Sequence, residues 1–328
     1  MREKGKDGVE GGVGRIPPLM AMKTRARLPV KTLICINGHV YALRATKLAA
    51  KCAGASSQVT FLFVRRYGKE TRGYNIRRKA TEVFPDWREE PPEMRCLHEA
   101  EEVFKQVRGG TEKGVQMEPP SRALVHVGGG VFQEGRVYLR SNSQARLRVR
   151  EGVPHEEIIR EAKEGSYDLV MLGAHGVSGC RWHEVENIPL KVAQAAPCPV
   201  AVIHNEFEEG QPILVCIGRK DPPESTLHLG RVIAESMKSE IEVLTVLGTA
   251  DSAFEFAEGV SSMMDQWSES SLKVTPKALT GKPTKVIVEM APSYGLIICS
   301  SGEKRGKKRL GKVTKKVLCD RFNLLVAR

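Results

Sequence analysis

The segment at residues 167–204 constrains the fold more than any other part of this chain. An apolar run at 169–172 suits a buried strand, and it stops at Gly173, where a polar loop begins. A second regular pattern starts at Asn187 and continues to the end of the segment. A short apolar strand that leads through a glycine-containing loop into a helix is typical of a parallel α/β sheet.

The second pattern in this segment predicts a helix followed by a strand. Asn187 is a good helix cap, and Pro189 suits the first turn because an N–H there would have no helical partner. Pro197 and Pro199 stop the helix before the apolar run at 200–203. The whole segment is therefore predicted to be a βαβ crossover. In such units the strand-to-helix loop at the carboxyl edge of the sheet is the usual place for phosphate binding.

The same segment resembles the universal stress protein (UspA-like) family. The matching pieces are DLVMLG at 168–173, the glycine pair Gly173 and Gly176, and APCPV at 196–200. In the family the loop continues as G-x9-G-[ST], whereas Glu186 and Asn187 stand here where glycine and a hydroxyl residue are expected. The loop length is kept and its chemistry is changed.

The resemblance implies a doubly wound α/β sandwich with a parallel five-stranded sheet in the order 3-2-1-4-5. The order of strands and helices in the first half repeats in the second half, so we expect two such sheets in tandem. The expected units are a first domain at 30–205, an acidic linker at 206–211 and a degenerate second domain at 212–328. Family members often pair through the last strand, which implies an internal pseudo-dimer joined by residues 200–203 and 324–326. A homodimer stays open.

Hydrophobic periodicity predicts the remaining elements. In the first half, strands are expected at 32–36, 59–64 and 145–150, and helices at 42–52, 98–107 and 155–163. In the second half, strands are expected at 213–217, 241–246, 273–277 and 296–299, and helices at 224–239, 254–267, 284–290 and up to residue 318.

Two parts of the chain do not fit the repeated pattern. Residues 1–29 are rich in glycine and charge and show no period that could bury a face, so we expect them to be disordered. An insertion at 109–142 holds two alternating runs, at 123–127 and 135–139, which predict an extra hairpin. The triple glycine at 128–130 is predicted to be a flexible turn, because no helix start follows it.

Composition and charge exclude some classes of protein. With 41% apolar residues among 328, and no apolar run as long as a spanning helix needs, the chain is predicted to be soluble, with no membrane contact. The N-terminus lacks the apolar core of a signal peptide, so a cytoplasmic location is expected. The eight cysteines show no C-x-x-C spacing, which favours buried free thiols over disulfides or zinc. The net charge of +12 suggests contacts with anions.

The resemblance also implies where an adenine nucleotide would bind. Asn37 stands at the position of the aspartate that ends the first strand in the family. The other contacts would come from Gly173, His175, Gly176, Ser178 and Asn187. However, Glu186 within about 4 Å of a phosphate charge would cost roughly 1 kcal/mol in water and about 4 kcal/mol at an effective dielectric near 20. We therefore expect a degenerate site, with no cofactor held tightly and at most weak binding of ATP or AMP.

The second half has changed further and carries a basic segment at residues 304–316. Gly218 replaces the acidic residue at the end of the first strand, and Ser300 and Glu303 replace the two loop glycines. The predicted anion-binding residues are Lys304, Arg305, Lys307, Lys308, Arg309 and Lys312. A solvated helix face explains them, and so does a phosphate-rich partner bound with release of counterions. No aromatic residues are interleaved there to stack on bases.

The sequence contains no recognisable set of nucleophile, base and orienting residue, so no catalytic residues are predicted. Glu156 and Glu157 are adjacent on a helix, where their side chains point ~100° apart, and we expect them to favour the helix N-terminus. The first hypothesis is a non-enzymatic regulatory protein of the universal stress type with degenerate nucleotide sites. The alternatives are an ATP-binding member with slow ATPase activity, and an accessory module that binds an anionic macromolecule through residues 304–316.

Overall fold

Apolar strands and amphipathic helices alternate along the described part of the chain. The computed structural model describes residues 31–54, 57–66, 91–109, 125–128, 131–137, 144–174, 187–218, 224–247, 272–301, 303–304, 307–308 and 310–327. The disorder predicted at 1–29 and the helix predicted at 254–267 lie outside these residues.

The first half of the chain contributes seven strands and four helices to the described fold. They are β1 Lys31–Ile36, α1 Val40–Cys52, β2 Gln58–Arg65, α2 Pro92–Val107, β3 Val125–Gly128, β4 Val131–Val137, β5 Gln144–Glu151, α3 Pro154–Glu164, β6 Leu169–Gly173, α4 Ile188–Ala195 and β7 Val200–Ile203.

Among the described residues, the second half repeats this order except for the hairpin β3–β4 and a counterpart of α2. Its elements are β8 Ile213–Cys216, α5 Glu224–Met237, β9 Ile241–Leu247, β10 Val274–Thr280, α6 Pro283–Met290, β11 Leu296–Ser300, β12 Glu303–Lys304, β13 Lys307–Lys308, α7 Lys312–Cys319 and β14 Leu324–Ala327. A short 3-10 turn, Ala291–Ser293, follows α6.

Twelve of the described strands form one continuous sheet. Its order is β10-β9-β8-β11-β14-β7-β6-β1-β2-β5-β4-β3. Within each half the five parallel strands follow the predicted order 3-2-1-4-5, which is confirmed. The two predicted sheets are not separate, because they join edge to edge, and the first is lengthened by the antiparallel hairpin β3–β4.

The predicted pairing of the two last strands is also confirmed. β7 and β14 run antiparallel, with Leu325 opposite Ala201 and Val326 opposite Val200. All residues of both strands are buried. The joint therefore hides two apolar strands that would each be an exposed sheet edge in an isolated half.

Two apolar layers cover the faces of the sheet, and each layer runs through both halves. Successive strand residues alternate between them, so that Leu33 belongs to one layer and Ile34 to the other, both fully buried. One layer lies beneath α1, α2 and α5, and the other beneath α3, α4, α6 and α7. The halves thus share their core across the β7–β14 joint.

Two element boundaries, one before the insertion and one within it, differ from the sequence prediction. Helix α2 begins at Pro92 instead of residue 98, because the proline occupies its first turn and Met94 is buried in the core. The hairpin is present, but its second strand begins at Val131, directly after the triple glycine. Phe132 is almost fully buried opposite Val149 and fixes this register.

The acidic segment predicted as a linker at 206–211 packs against both halves. Phe207 is buried and fills the space beside Gly295, where an added Cβ would come within 2.4 Å of its ring. Glu206 pairs with Lys47 of the first half at 2.7 Å, and Glu209 pairs with Lys238 of the second at 2.9 Å. The chain therefore crosses between the halves in a defined path.

Asn323, just before β14, holds the connection between the two halves in place through hydrogen bonds. Its Oδ1 accepts hydrogen bonds from the backbone N–H of His204 at 2.8 Å and of Asn205 at 2.9 Å. Its Nδ2 donates to the carbonyl oxygen of Gly295 at 2.8 Å. The side chain is buried, so one amide satisfies three backbone groups from distant parts of the chain.

Replacing Asn323 by alanine should destabilise the whole protein. The substitution leaves buried backbone groups without partners, and we expect the free energy of unfolding to fall by about 2 to 4 kcal/mol. Urea denaturation followed by circular dichroism measures the change. Asn205→Ala is the matched control, because this exposed side chain makes a single bond to the Arg321 carbonyl, and it should cost no more than about 0.5 kcal/mol. Equal effects of the two substitutions would contradict the proposed role of Asn323.

Candidate functional site

The carboxyl ends of β1 and β6 lie side by side at one edge of the sheet. Cys35 pairs with Leu172, so the residues that follow both strands emerge together. Asn37 comes directly after β1 and is exposed. Its Oδ1 accepts a hydrogen bond from the backbone N–H of His39 at 3.2 Å, which shapes the turn into α1. The structure thus gives Asn37 a local role in the turn.

Gly173, at the end of β6, lies against the first turn of α1. A Cβ on this residue would come within 2.1 Å of the backbone carbonyl carbon of Tyr41 and 2.3 Å of the backbone nitrogen of Ala42. Side chains cannot approach a backbone that closely. Glycine is therefore required here by the packing of helix on strand, whether or not a ligand is bound.

Asn187 starts α4 on the other side of the loop, as predicted. Its Oδ1 accepts from the backbone N–H of Leu190 at 3.0 Å, which caps the helix. The side chain is only 3% exposed, and its Nδ2 has no hydrogen-bond partner among the described residues. This amide retains a free donor next to a helix N-terminus, where anions are stabilised.

The described part of the predicted nucleotide site consists of three residues. Asn37, Gly173 and Asn187 belong to the same strand-to-helix edge. His175, Gly176 and Ser178 lie outside the described residues, and so does Glu186.

At the matching edge of the second half, two hydrogen bonds connect the start of α7 to the end of β11. The Thr314 hydroxyl donates to the Ser300 carbonyl oxygen at 3.1 Å, and the Gly311 N–H donates to the Ser301 carbonyl oxygen at 3.2 Å. Between these anchors, β12 and β13 pair antiparallel, which the sequence analysis did not predict. The loop therefore returns on itself as a small hairpin before α7.

Helix α7 turns a basic face outward, which agrees with the solvated helix face considered in the sequence analysis. Val317 and Leu318 are buried, whereas Lys312, Lys315 and Lys316 are exposed. Of the other predicted anion-binding residues, Lys304, Lys307 and Lys308 lie in β12 and β13, with only their backbone described. Arg305 and Arg309 lie outside the described residues.

A buried ionic cluster under α3 was missed by the sequence analysis. Arg150 is 3% exposed and contacts Glu161 at 2.6 Å and Glu157 at 3.4 Å. Arg148 contacts the other oxygen of Glu161, and the Tyr167 hydroxyl donates to that same oxygen at 2.8 Å. Glu157 lies in the first turn of α3, as expected, and it also binds arginine, which the sequence analysis did not predict. The available signal was the alternation R-x-R-x-R at 146–150.

The arginines decide the charge state of this cluster. Burial alone would raise the pKa of Glu161, but Arg148, Arg150 and the Tyr167 hydroxyl hold this pKa below its ordinary value of 4.5. Burial alone would lower the pKa of Arg150, but Glu164 and Glu161 raise it. Burial and the nearby Glu161 raise the pKa of Tyr167, so this hydroxyl stays protonated and donates.

Comparison with solved structures defines the fold class. A universal stress protein from Archaeoglobus fulgidus DSM 4304 is 14% identical with a TM-score of 0.59, and the match covers 93% of this chain and 98% of that one. A universal stress protein candidate from Pseudomonas aeruginosa UCBPP-PA14 is 14% identical with a TM-score of 0.54, covering 91% and 93%. At this identity the likeness shows the fold alone. The chain is a tandem α/β sandwich of the UspA type.

Sequence comparison adds the family. Residues 135–204 match the model of the universal stress protein family. The universal stress protein YxiE of Bacillus subtilis (strain 168) is 35% identical over 52 residues, a match that covers 16% of this chain. The matched stretch covers about a third (35%) of the length of that curated relative. The stretch at 135–204 is thus similar to the universal stress protein family, and the length of the chain is consistent with a tandem form of that fold.

Membrane insertion through a helix finds no support in the described residues. None of their helices is long and apolar enough to cross a bilayer.

Gly173→Ala should destabilise the protein in the absence of any nucleotide. The new methyl group overlaps the backbone of α1, so we expect the free energy of unfolding to fall by at least about 2 kcal/mol. Gly311→Ala is the matched control at the second edge, because its Cβ would meet only the Thr314 hydroxyl at 3.9 Å. That change should stay below about 1 kcal/mol. Thermal and urea unfolding compare the two, and a tolerated Gly173→Ala would argue against the packing role.

Glu161→Gln should weaken the fold and reduce its sensitivity to acid. It leaves two arginines without their shared carboxylate, which costs about 3 kcal/mol near neutral pH. Since the folded-state pKa of Glu161 is lowered, its stabilising contribution is complete above the unfolded value of 4.5 and is lost as the pH falls through the folded value. The gap between wild type and variant should therefore narrow below about pH 4.5.

The control for this pH series is Glu289→Gln. Glu289 is exposed and lies 3.8 Å from Lys285, so its loss should change stability by less than about 0.5 kcal/mol at any pH. A Glu161→Gln deficit that stays constant from pH 7 to pH 3 would show that the carboxylate charge is not what the arginines require.

Proposed function

We propose that this protein is a regulatory or stress-response protein that acts by binding and not by catalysis, with degenerate nucleotide sites. The observation that carries the proposal is the condition of the two strand-to-helix edges. At the first edge, the Asn37 oxygen is used in a turn and Gly173 is used in packing. Gly173, which matches the family pattern, and Asn37, which replaces the family aspartate, therefore both have structural reasons to be present that do not involve a nucleotide.

The second edge supports the same proposal more strongly. The Gly311 N–H, which would otherwise face the loop at the start of α7, is taken by the Ser301 carbonyl oxygen. The Thr314 hydroxyl, a second possible donor, is likewise taken by the Ser300 carbonyl oxygen. A phosphate arriving here would have to compete with these internal bonds, which weakens binding.

Residual affinity at the first edge is part of the proposal. The buried Nδ2 of Asn187 offers a hydrogen-bond donor to an anion at the start of α4, whereas the Leu190 N–H is already used by the cap. By the family resemblance, Glu186 stands where glycine is expected, so its charge should oppose that anion and its side chain should take the space that glycine would leave. Weak binding of AMP or ATP, without turnover, follows from this balance.

Restoring glycine at position 186 tests this balance. Removing one charge repulsion of about 1 to 4 kcal/mol predicts that Glu186→Gly binds ATP from about fivefold to nearly a thousandfold more tightly than wild type. Isothermal titration calorimetry with ATP and AMP, with and without magnesium, measures the change. Glu186→Gln separates charge from backbone space and should give an intermediate affinity.

Two results would count against the proposal. Tight, magnesium-dependent ATP binding by the wild type would favour the alternative of a nucleotide-binding protein with slow ATPase activity. An affinity for ATP that is the same in wild type and in both variants would remove Glu186 from the explanation.

A second candidate function draws on the basic face of α7. Lys312, Lys315 and Lys316 are exposed together while the opposite face is buried, an arrangement that suits an anionic macromolecule. Lys316 is partly neutralised by Asp320 at 2.7 Å. Titration with a short nucleic acid at two salt concentrations distinguishes this candidate, since binding through lysines weakens steeply as salt rises. No binding at low salt would dismiss it.

A further inference from the structure

A groove lies on the face of the sheet that α3 covers, between that helix and the hairpin β3–β4. The hairpin lengthens the sheet beyond β5. Strand β5 forms the floor of the groove, and α3 forms its wall. Its charged lining consists of Lys31, Arg146, Arg148, Arg150, Arg160 and Glu164. Val127 at its rim is 52% exposed, so the groove is open to solvent.

The arginines of the floor come from a single strand. Arg146, Arg148 and Arg150 alternate on β5 with residues that are buried in the opposite layer, such as Leu147 and Val149. Because side chains two residues apart share one face of a strand, all three guanidinium groups lie on the groove side. The pleat of β5 therefore presents a row of cations.

Two of these arginines are held in place by the buried cluster. Arg150 contacts Glu164 at 2.5 Å as well as Glu161, and Arg148 donates to the Gln133 side-chain oxygen at 2.9 Å. Their guanidinium groups are thus fixed before any ligand arrives. A preorganised donor binds an anion at a lower cost in side-chain entropy than a mobile one does.

The wall cations are also positioned. Arg160 contacts Glu157 at 2.7 Å, and the Lys31 ammonium donates to the Gly165 carbonyl oxygen and lies 5.0 Å from the centre of the Tyr167 ring. Five cationic residues line the groove, and the side chains of Glu157, Glu161 and Glu164 contact the arginines. The Asp168 carboxylate accepts from the backbone N–H of Lys31 at 2.8 Å, so one positive charge is left over among the described residues.

Arg146 has guanidinium donors that are available to a ligand. Neither an ion pair nor a side-chain hydrogen bond to it occurs within the described ranges, and it is partly exposed. Its five N–H donors form a rigid fork that fits the oxygens of a phosphate. A ligand would satisfy this guanidinium without breaking an internal contact.

The N-terminal segment has no excess of acidic residues that could serve as a counter-charge. The segment that leads into Lys31, residues 1–30, carries seven basic and three acidic residues, so it is itself cationic. The groove also lies away from the first strand-to-helix edge. Lys31 begins β1 and Tyr167 precedes β6, whereas Asn37 and Gly173 are at the opposite ends of these strands.

We propose that this groove is a binding site for a compact phosphate anion of two or more negative charges, either free or carried by a small molecule. Arg146 and Arg148 on the floor and Arg160 on the wall bind its oxygens through charge-assisted hydrogen bonds. The site is separate from the degenerate nucleotide edges, so a negative result at this groove would not affect the function proposed above.

Pyrophosphate is the probe for this site, with inorganic phosphate and AMP as further ligands. Isothermal titration calorimetry of the full chain should show saturable binding of pyrophosphate, and Arg146→Gln should weaken it by about tenfold or more. Arg146→Lys keeps the charge and loses the fork, so its affinity should lie in between. Tighter binding of AMP than of inorganic phosphate would indicate that the natural ligand is a phosphate carried by a small molecule. Equal binding of the two would indicate a free phosphate.

The matched control is Arg95→Gln on α2. This arginine is exposed and its helix packs on the opposite layer, so the variant has the same net charge as Arg146→Gln but an intact groove. It should bind pyrophosphate as the wild type does. Because Arg146 has no described side-chain partner, both variants should melt at the wild-type temperature.

A second measurement needs no variant. In an NMR titration of the wild type with pyrophosphate, the amide signals of Gly165 and Tyr167 should shift, and those of Gly38 and Ala174 should not. Three outcomes would overturn the proposal: the absence of saturable binding, equal weakening by Arg146→Gln and Arg95→Gln, or shifts confined to the edge that contains Gly38 and Ala174.

Discussion

The antiparallel joint between β7 and β14 is the contact on which the rest of the molecule depends. Each strand is the outermost strand of its own half, and both are apolar along their whole length. An edge of that kind is stable only when it is paired. The joint supplies the pairing within one chain, continues both core layers from one half into the other, and sets the path that Phe207 and Asn323 then fasten.

Duplication of one topology has preserved positions more faithfully than chemistry. Each strand-to-helix edge is built in the same place, yet Asn37 corresponds to Gly218, Gly173 to Ser300, and Asn187 to Gly311. At the first edge the close approach of α1 to β6 explains why glycine is kept. At the second, where Thr314 and Gly311 tie the loop to the end of β11, the backbone supplies its own hydrogen-bond partners. At both edges the groups that could contact a ligand are therefore used within the protein, at the first edge by packing and at the second by hydrogen bonds.

The hairpin β3–β4 changes the electrostatics of the first half as well as its size. In the second half, the corresponding strand β10 is the edge of the sheet. In the first half, β5 has a neighbour on each side, and its α3 face carries arginines where an interior strand normally carries apolar residues. Burial of Arg150 is tolerated because three carboxylates from α3 surround it. The same arrangement leaves the amino end of β5 positively charged.

The sequence by itself determined the elements that depend on local pattern: the strand runs, the Asn187 cap, the outward basic face of α7 and, through the family motifs, the strand order and the β7–β14 joint. Only the tertiary structure decided what requires contact between distant residues. It showed that Gly173 meets the backbone of α1, that Glu157 and Glu161 bind arginines of β5, and that the two sheets are one. Periodicity reports which face of an element is apolar, but not what lies opposite that face, so ion pairs and close backbone approaches appear only when the chain is folded.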